Sequence, residues 1–287
     1  MFSGLASIRR PGASGLRSLF LTPAVVGTVL LTAVGCGTDD PVPVSDTPQP
    51  AVEPGAEFEL VRSPDVAPER PDARVGIASP DEFERFDEGE TVAVEFTLSG
   101  YQLEEETPGG AERGLARAPG QHLHVILNNE RYEAIYDISD PVEFDDLPAG
   151  THHLRAFPGT DWHESVKSPG AFVHRVIQVG EGEVEPRVDL DAPLLTYSRP
   201  VGEYSGADAD SVLVDFYLSG ARLSTDGYRV RIAVEGLGEA MIDDWAPYLL
   251  LGLPEGEHTV RLELLDPDGV LVPGEFNRTE RTITISR

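Results

Sequence analysis

The chain is predicted to be all-β: two tandem sandwich domains behind an export signal and an extended tether. Three observations predict it. One unit of about a hundred residues occurs twice in the same internal order. Within each copy, apolar and polar residues alternate over short runs that break at Gly, Pro, Asp or Asn. Beyond the first stretch of the chain, no segment keeps a helical period of useful length.

The repeat rests on four matched blocks. VAVEFTLSG at 92–100 returns as VLVDFYLSG at 212–220, and Gly120 with Leu123 to Val125 matches Gly227 with Val230 to Ile232. LPAGTH at 147–152 returns as LPEGEH at 253–258, and PGAF at 169–172 as PGEF at 273–276. Short strands spaced by turn signals over such a length point to immunoglobulin-like sandwiches, without the Cys–Trp–Cys core of antibody domains. The predicted layout is 1–35 signal peptide, 36–56 tether, 57–187 first sandwich and 188–287 second sandwich. A short run at 58–61 is assigned to the first.

The leader carries Arg9, Arg10 and Arg17, then an apolar run, then LTAVGC at 31–36. A basic start, an apolar segment and small residues before a cut describe a secretory signal. The last six residues resemble a lipobox, in which Cys36 becomes the first mature residue and takes acyl chains. It is the only cysteine, so the chain forms no internal disulfide. Pro, Asp and Ser then dominate to about residue 56, a composition that buries no core and reads as an extended tether. Gly37 provides no inner-membrane retention signal of the Asp type, which favours the outer membrane in a Gram-negative host.

Fifty Asp and Glu face twenty-two Lys and Arg, for a net charge of −28, and three of the arginines lie in the leader. Such a polyanion repels nucleic acid, so none is expected as a partner. The expected partners are the membrane, through the lipid anchor, and an envelope protein or peptide.

Candidate chemistry gathers in the first copy. Strand alternation sets Leu123, Val125 and Leu127 towards the core and His122 and His124 outward, where the second copy carries Arg229 and Arg231. His153 and Arg155 lie on what should be the neighbouring strand. The loop after it brings Trp162, His163, Glu164 and Lys167, the chain's one lysine, while the matching loop of the second copy has no His, Lys or Trp. His152 and His258 recur at the same place in both copies and are expected to be structural. Two chemistries are open to the cluster. His122, His124, His153 and His163 with Glu164 would suit zinc. Lys167, Arg155 and imidazole N–H groups would suit a carboxylate or phosphate.

GQHLHVILN at 120–128, WHESVK at 162–167, and YSRP at 197–200 with Tyr204 resemble segments of an uncharacterised bacterial family. Its members are secreted or lipid-anchored proteins of this double-repeat layout, and some carry a phosphopeptide-binding label. The resemblance spans most of 58–287 and implies the shared architecture. Catalysis is not expected: no Gly-Xaa-Ser-Xaa-Gly elbow and no Gly-rich phosphate loop is present. The functional expectation is a non-enzymatic binding or adaptor module anchored to the envelope. The alternatives are a spacer lipoprotein without a small-molecule site and, third, a hydrolase-like enzyme.

Overall fold

The computed structural model of the protein describes residues 58–112, 114–115, 118–168, 170–182 and 191–287. The signal segment, Cys36 and the tether lie outside the described residues. Those described belong to one compact unit, and their regular secondary structure is strand apart from a single helical turn at Ala207–Asp210.

The first repeat runs β2 (Arg74–Ser79), β3 (Arg85–Phe86), β4 (Val92–Ser99), β5 (His122–Leu127), β6 (Arg131–Ile135), β7 (Val142–Phe144), β8 (Gly150–Gly159) and β9 (Val173–Val179). The second runs β10 (Leu194–Arg199), β11 (Gly202–Ser205), β12 (Ser211–Ser219), β13 (Arg229–Val234), β14 (Gly238–Ile242), β15 (Tyr248–Leu251), β16 (Gly256–Leu265) and β17 (Arg278–Ser286). Sheet orders repeat with the chain: β2-β4-β7 faces β3-β9-β8-β5-β6, and β12 between β10 and β15 faces β11-β17-β16-β13-β14. Each repeat is therefore a two-sheet, immunoglobulin-like sandwich, and the fold is all-β.

Alternation builds the cores. In β4 Val92, Val94 and Phe96 point inward and are buried, while Ala93, Glu95 and Thr97 are exposed. Val212, Val214, Phe216 and Leu218 do the same in β12. At about 1.5–3 kcal/mol for each large apolar side chain, these stripes dominate the stability of each sandwich.

Two expectations need correction. Strand β1 (Glu59–Arg62) pairs antiparallel with β15, not with any strand of the first repeat. The run at 58–61 is thus an edge strand of the second sandwich; β15 had an unpaired edge available, and sequence position alone does not specify pairing. The face of β5 and β8 that alternation turns outward, with His122 and His124, does not meet solvent: every residue of β5 is buried. The second repeat covers it. Phe157 and Phe172 stack on Tyr217 with ring centroids 5.2 and 4.7 Å apart, and Trp245 meets Tyr217 edge-on at 5.0 Å. Such pairs contribute about 0.5–1.5 kcal/mol each beyond their buried area. Parity identifies the face of a strand, but not what packs against that face.

Candidate functional site

Strands β5 and β8 are antiparallel neighbours, with His122 opposite Gly159 and His124 opposite Phe157. At the end of β8 the chain turns back on itself. Gly159 bridges Ser165, the Thr160 N–H donates to the Glu164 carbonyl at 2.9 Å, and the Val166 N–H to that of Pro158 at 2.8 Å. His163 sits near the tip with φ of 69°, a left-handed conformation uncommon for non-glycine residues. The turn folds its ring over the start of β5.

Three histidines meet there. His163 Nδ1 lies 3.1 Å from His122 Nε2, and His122 stacks on His124 with centroids 4.7 Å apart. One ligand nitrogen from each of the three falls within 4.8 Å of the others. Tetrahedral zinc with Zn–N of 2.0–2.1 Å separates its nitrogens by about 3.3 Å, so the widest pair has to close by up to about 1.5 Å to hold the ion. Outer nitrogens are already held: His122 Nδ1–H donates to the Gly120 carbonyl at 3.0 Å, and His124 Nδ1 meets Ser198 Oγ at 3.1 Å. Such partners fix ring orientation and leave the opposite nitrogen for a metal. His124 Nε2 is buried and has no hydrogen-bond partner.

Gly159 makes room for this ring. A Cβ at that position would lie 2.0 Å from His124 Nε2. The same burial keeps the imidazoles neutral. Desolvation lowers His122 to about 4, His163 to about 2 and His124 well below the ordinary value, with Arg199 and the neighbouring histidines adding repulsion. Neutral imidazole is the form that binds metal, so protons compete little at neutral pH.

The other expected site residues are used differently. His153 shares the face of His124 but lies four residues along β8 from its partner Phe157, roughly 13 Å at the rise of a strand. It meets His174 instead, Nδ1 to Nε2 at 3.0 Å, on the wall of a cleft of about 920 Å³ between the repeats. His153 therefore leaves the predicted metal set. Glu164 leaves it too: its Oε2 accepts from Trp162 Nε1 at 3.0 Å, and burial raises its pKa. Trp162 is buried and forms a wall beside His163.

Lys167 is no free anion anchor. Its Nζ donates to Asp215 Oδ1 of the second repeat at 2.5 Å and to Ser165 Oγ at 3.0 Å, while Ser165 donates its N–H and hydroxyl to the same carboxylate. Arg155 is fully buried, its guanidinium 4.1 Å from the centre of the Phe276 ring and Nη1 3.4 Å from Thr196 Oγ1. Burial, then Arg281, pushes its pKa down to about 9. These two cations join the repeats rather than face a common ligand. His152 and His258 each bond a proline carbonyl four residues back, Pro148 and Pro254, at 2.8 Å.

Sequence reasoning missed His174, Ser198, Arg199 and the space at Gly159. His174 had a findable signal, since it follows the PGAF block and falls opposite Arg155 in the β8–β9 register. Arg199 and Ser198 belong to the other repeat, and only the docking of the two sandwiches brings them to the histidines.

No family model matches the chain, and no curated protein matches it. Among solved structures it is similar to the fibronectin(III)-like modules of Clostridium thermocellum CbhA, at 15% identity over 74% of this chain and 93% of that one, with a TM-score of 0.25. The central fibronectin-III array of RIM-binding protein gives 8% identity over 77% of this chain and 71% of that one, TM-score 0.25. The Bacteroides ovatus mixed-linkage glucan utilization protein SGBP-B gives 14% identity, 74% and 47% coverage, and a TM-score of 0.21.

Proposed function

We propose that the chain is an exported, lipid-anchored, non-enzymatic binding module whose centre is a three-histidine site for a divalent transition metal, zinc by ligand type. The observation that carries this reading is the convergence of His122, His124 and His163, with ligand nitrogens within 4.8 Å and a buried, unpartnered Nε2 on His124. An orphaned buried polar atom costs ~1–3 kcal/mol, and a metal ion at that nitrogen would offset the cost. All-imidazole ligation suits zinc among biologically common cations. Lipid anchoring is supported by the lipobox-like segment ending at Cys36 and by the resemblance to double-repeat envelope lipoproteins. A binding role agrees with Ser165, the hydroxyl beside His163 and Glu164. It is fully buried and committed to Asp215, so no substrate reaches it.

The test is metal analysis and zinc titration of the purified protein. One zinc per chain is expected, lost in His163→Ala and retained in His153→Ala. Ser198→Ala should weaken zinc by roughly 10–100-fold through the orientation of His124. Equal zinc binding by the parent and His163→Ala would sink the metal reading and leave a rigid spacer in its place.

A further inference from the structure

A dication held by three neutral imidazoles carries its full charge into a buried site, and the protein around it adds more positive charge. Arg199 acts on all three histidines, and its Nε is buried without a hydrogen-bond partner. Its guanidinium lies 4.5 Å from the centre of the Tyr132 ring, and one Nη donates to the Tyr132 hydroxyl at 3.0 Å. Arg281 follows along the same interface, donating to the carbonyls of Tyr197, Ser198 and Asn129. Among the described residues neither arginine has a salt bridge, in a chain with fifty carboxylates. Asp161 is the carboxylate that acts on His122, and its Oδ2 is engaged by the Thr107 N–H at 3.2 Å. Asp215 stands opposite Arg199 in the β10–β12 pairing but is shared with Lys167, so with a dication bound the inner end of the site would carry an excess of positive charge.

A pocket of about 360 Å³ opens beside His163, and Trp162, Arg199 and Tyr204 help to line it. Glu203 and Asp208 line it as well, and Glu203 is exposed. The exposed carboxylate of Glu203 thus stands at the mouth and the Arg199 guanidinium further in, where a bound metal would add to its charge. Three protein ligands leave one position of a tetrahedral zinc for an outside group.

We propose that this fourth position takes a small monocarboxylate, entering through the pocket and bridging the metal to the free Nε–H of Arg199; this rests on the metal reading above. One carboxylate oxygen coordinates and the other accepts from the guanidinium, the charge-assisted pairing that arginine makes best. The size suits an amino acid or the last residue of a peptide. The rim acids favour a ligand whose far end is cationic, and they oppose multiply charged anions such as phosphate.

Cobalt(II) in place of zinc supplies the readout, because its visible spectrum reports the ligands around it. The cobalt-loaded protein is titrated with acetate, glycine and inorganic phosphate. Saturable spectral changes are expected with acetate and glycine, glycine binding more tightly and phosphate more weakly than acetate. Arg199→Gln should weaken acetate by about tenfold or more while keeping the cobalt spectrum, and Arg199→Lys should recover part of the loss. A cobalt spectrum that acetate leaves unchanged overturns the carboxylate proposal and spares the metal site. So does equal acetate affinity in parent and Arg199→Gln. A protein that gives no cobalt spectrum fails at the metal itself, and both readings fall. The parent titration stands even if the Arg199 variants do not fold.

Discussion

The outer faces of β5–β8 and of β13–β16 are equivalent surfaces of the two repeats, built on the same register and put to opposite uses. In the second repeat that face meets water. Arg231 bonds Glu263 at 2.7 Å and Arg261 bonds Glu280 at 3.3 Å, in a lattice whose charges are half-exposed except for the buried Glu263. In the first repeat the same positions carry His122, His124, Arg155 and Phe157, all fully buried, beneath the other sandwich and, at His122, beneath the turn that carries His163. A strand pattern thus specifies a sandwich twice over, while the residues outside that pattern decide which copy is covered. Six of the seven histidines lie in the covered copy, five of them with pKa values lowered chiefly by desolvation. Burial at the joint, not the sandwich fold, creates the candidate site.

The largest expected effect comes from taking the joint apart. Produced alone, residues 64–182 expose Phe157, Phe172 and the histidine face to water, while residues 191–287 expose Tyr217 and Trp245. The isolated first repeat is expected to aggregate or to lose cooperative unfolding, and the two chains produced together should co-purify as one complex. Size exclusion and thermal melts read this directly. A first repeat that stays monomeric and melts like the parent would show that the joint contributes little, and the contrast between the two faces would lose its energetic meaning.

Acid should act on the same contrast. His122 and His153 are held near 4 and His174 near 3 in the folded state, against about 6.5 unfolded. The unfolded chain therefore takes up protons first. This contribution to stability is complete above about pH 6.5 and is lost as the pH falls through 4, with a slope of up to ~1.4 kcal/mol per pH unit for each such group. Melts from pH 7 to 4 should show a steep fall in the parent, a fall at least as steep with zinc bound, since metal-bound imidazoles take up no protons in the folded state and acid releases the metal, and a shallow one in residues 191–287 with their single histidine. A parent as stable at pH 4.5 as at pH 7 would break the claim that these imidazoles are buried neutral.

Much of the fold was legible because its signals are local. VAVEF and VLVDF each write out an inward stripe, the LPAGTH and LPEGEH blocks place a histidine where it can reach the proline carbonyl four residues back, and the β5–β8 pairing follows from immunoglobulin-like strand order. The site was legible in part for the same reason: outward parity joined His122 to His124, and the loop length allowed His163 to return. What sequence did not show depends on docking. Whether Lys167 would meet solvent, a ligand or Asp215 is decided by the other sandwich. The same holds for Ser198 behind His124 and Arg199 beside His163, and for β1, whose partner strand lies almost two hundred residues away.

The narrowest test compares one position in the two repeats. Glu95 of β4 and Asp215 of β12 occupy the same place in the VAVEF and VLVDF blocks, each an acid between inward-facing apolar neighbours. Glu95 is exposed, whereas Asp215 is fully buried and accepts from Lys167 and from Ser165 twice. Glu95→Ala removes a solvated charge and should change stability by no more than ~0.5 kcal/mol. Asp215→Ala strands the Lys167 ammonium in the joint with two Ser165 donors unpaired, and breaking such a pair from one side costs about 3–5 kcal/mol. The penalty arises mostly from the abandoned lysine. Replacing both partners, as in Asp215→Leu with Lys167→Met, should therefore recover much of it, since two apolar side chains of similar volume have no charge to desolvate. Denaturant melts of the two single variants and the double one measure all three quantities. A double variant no more stable than Asp215→Ala would mean that the carboxylate matters for its bonds to Ser165 and the loop turn that carries His163, and zinc affinity would then fall with it.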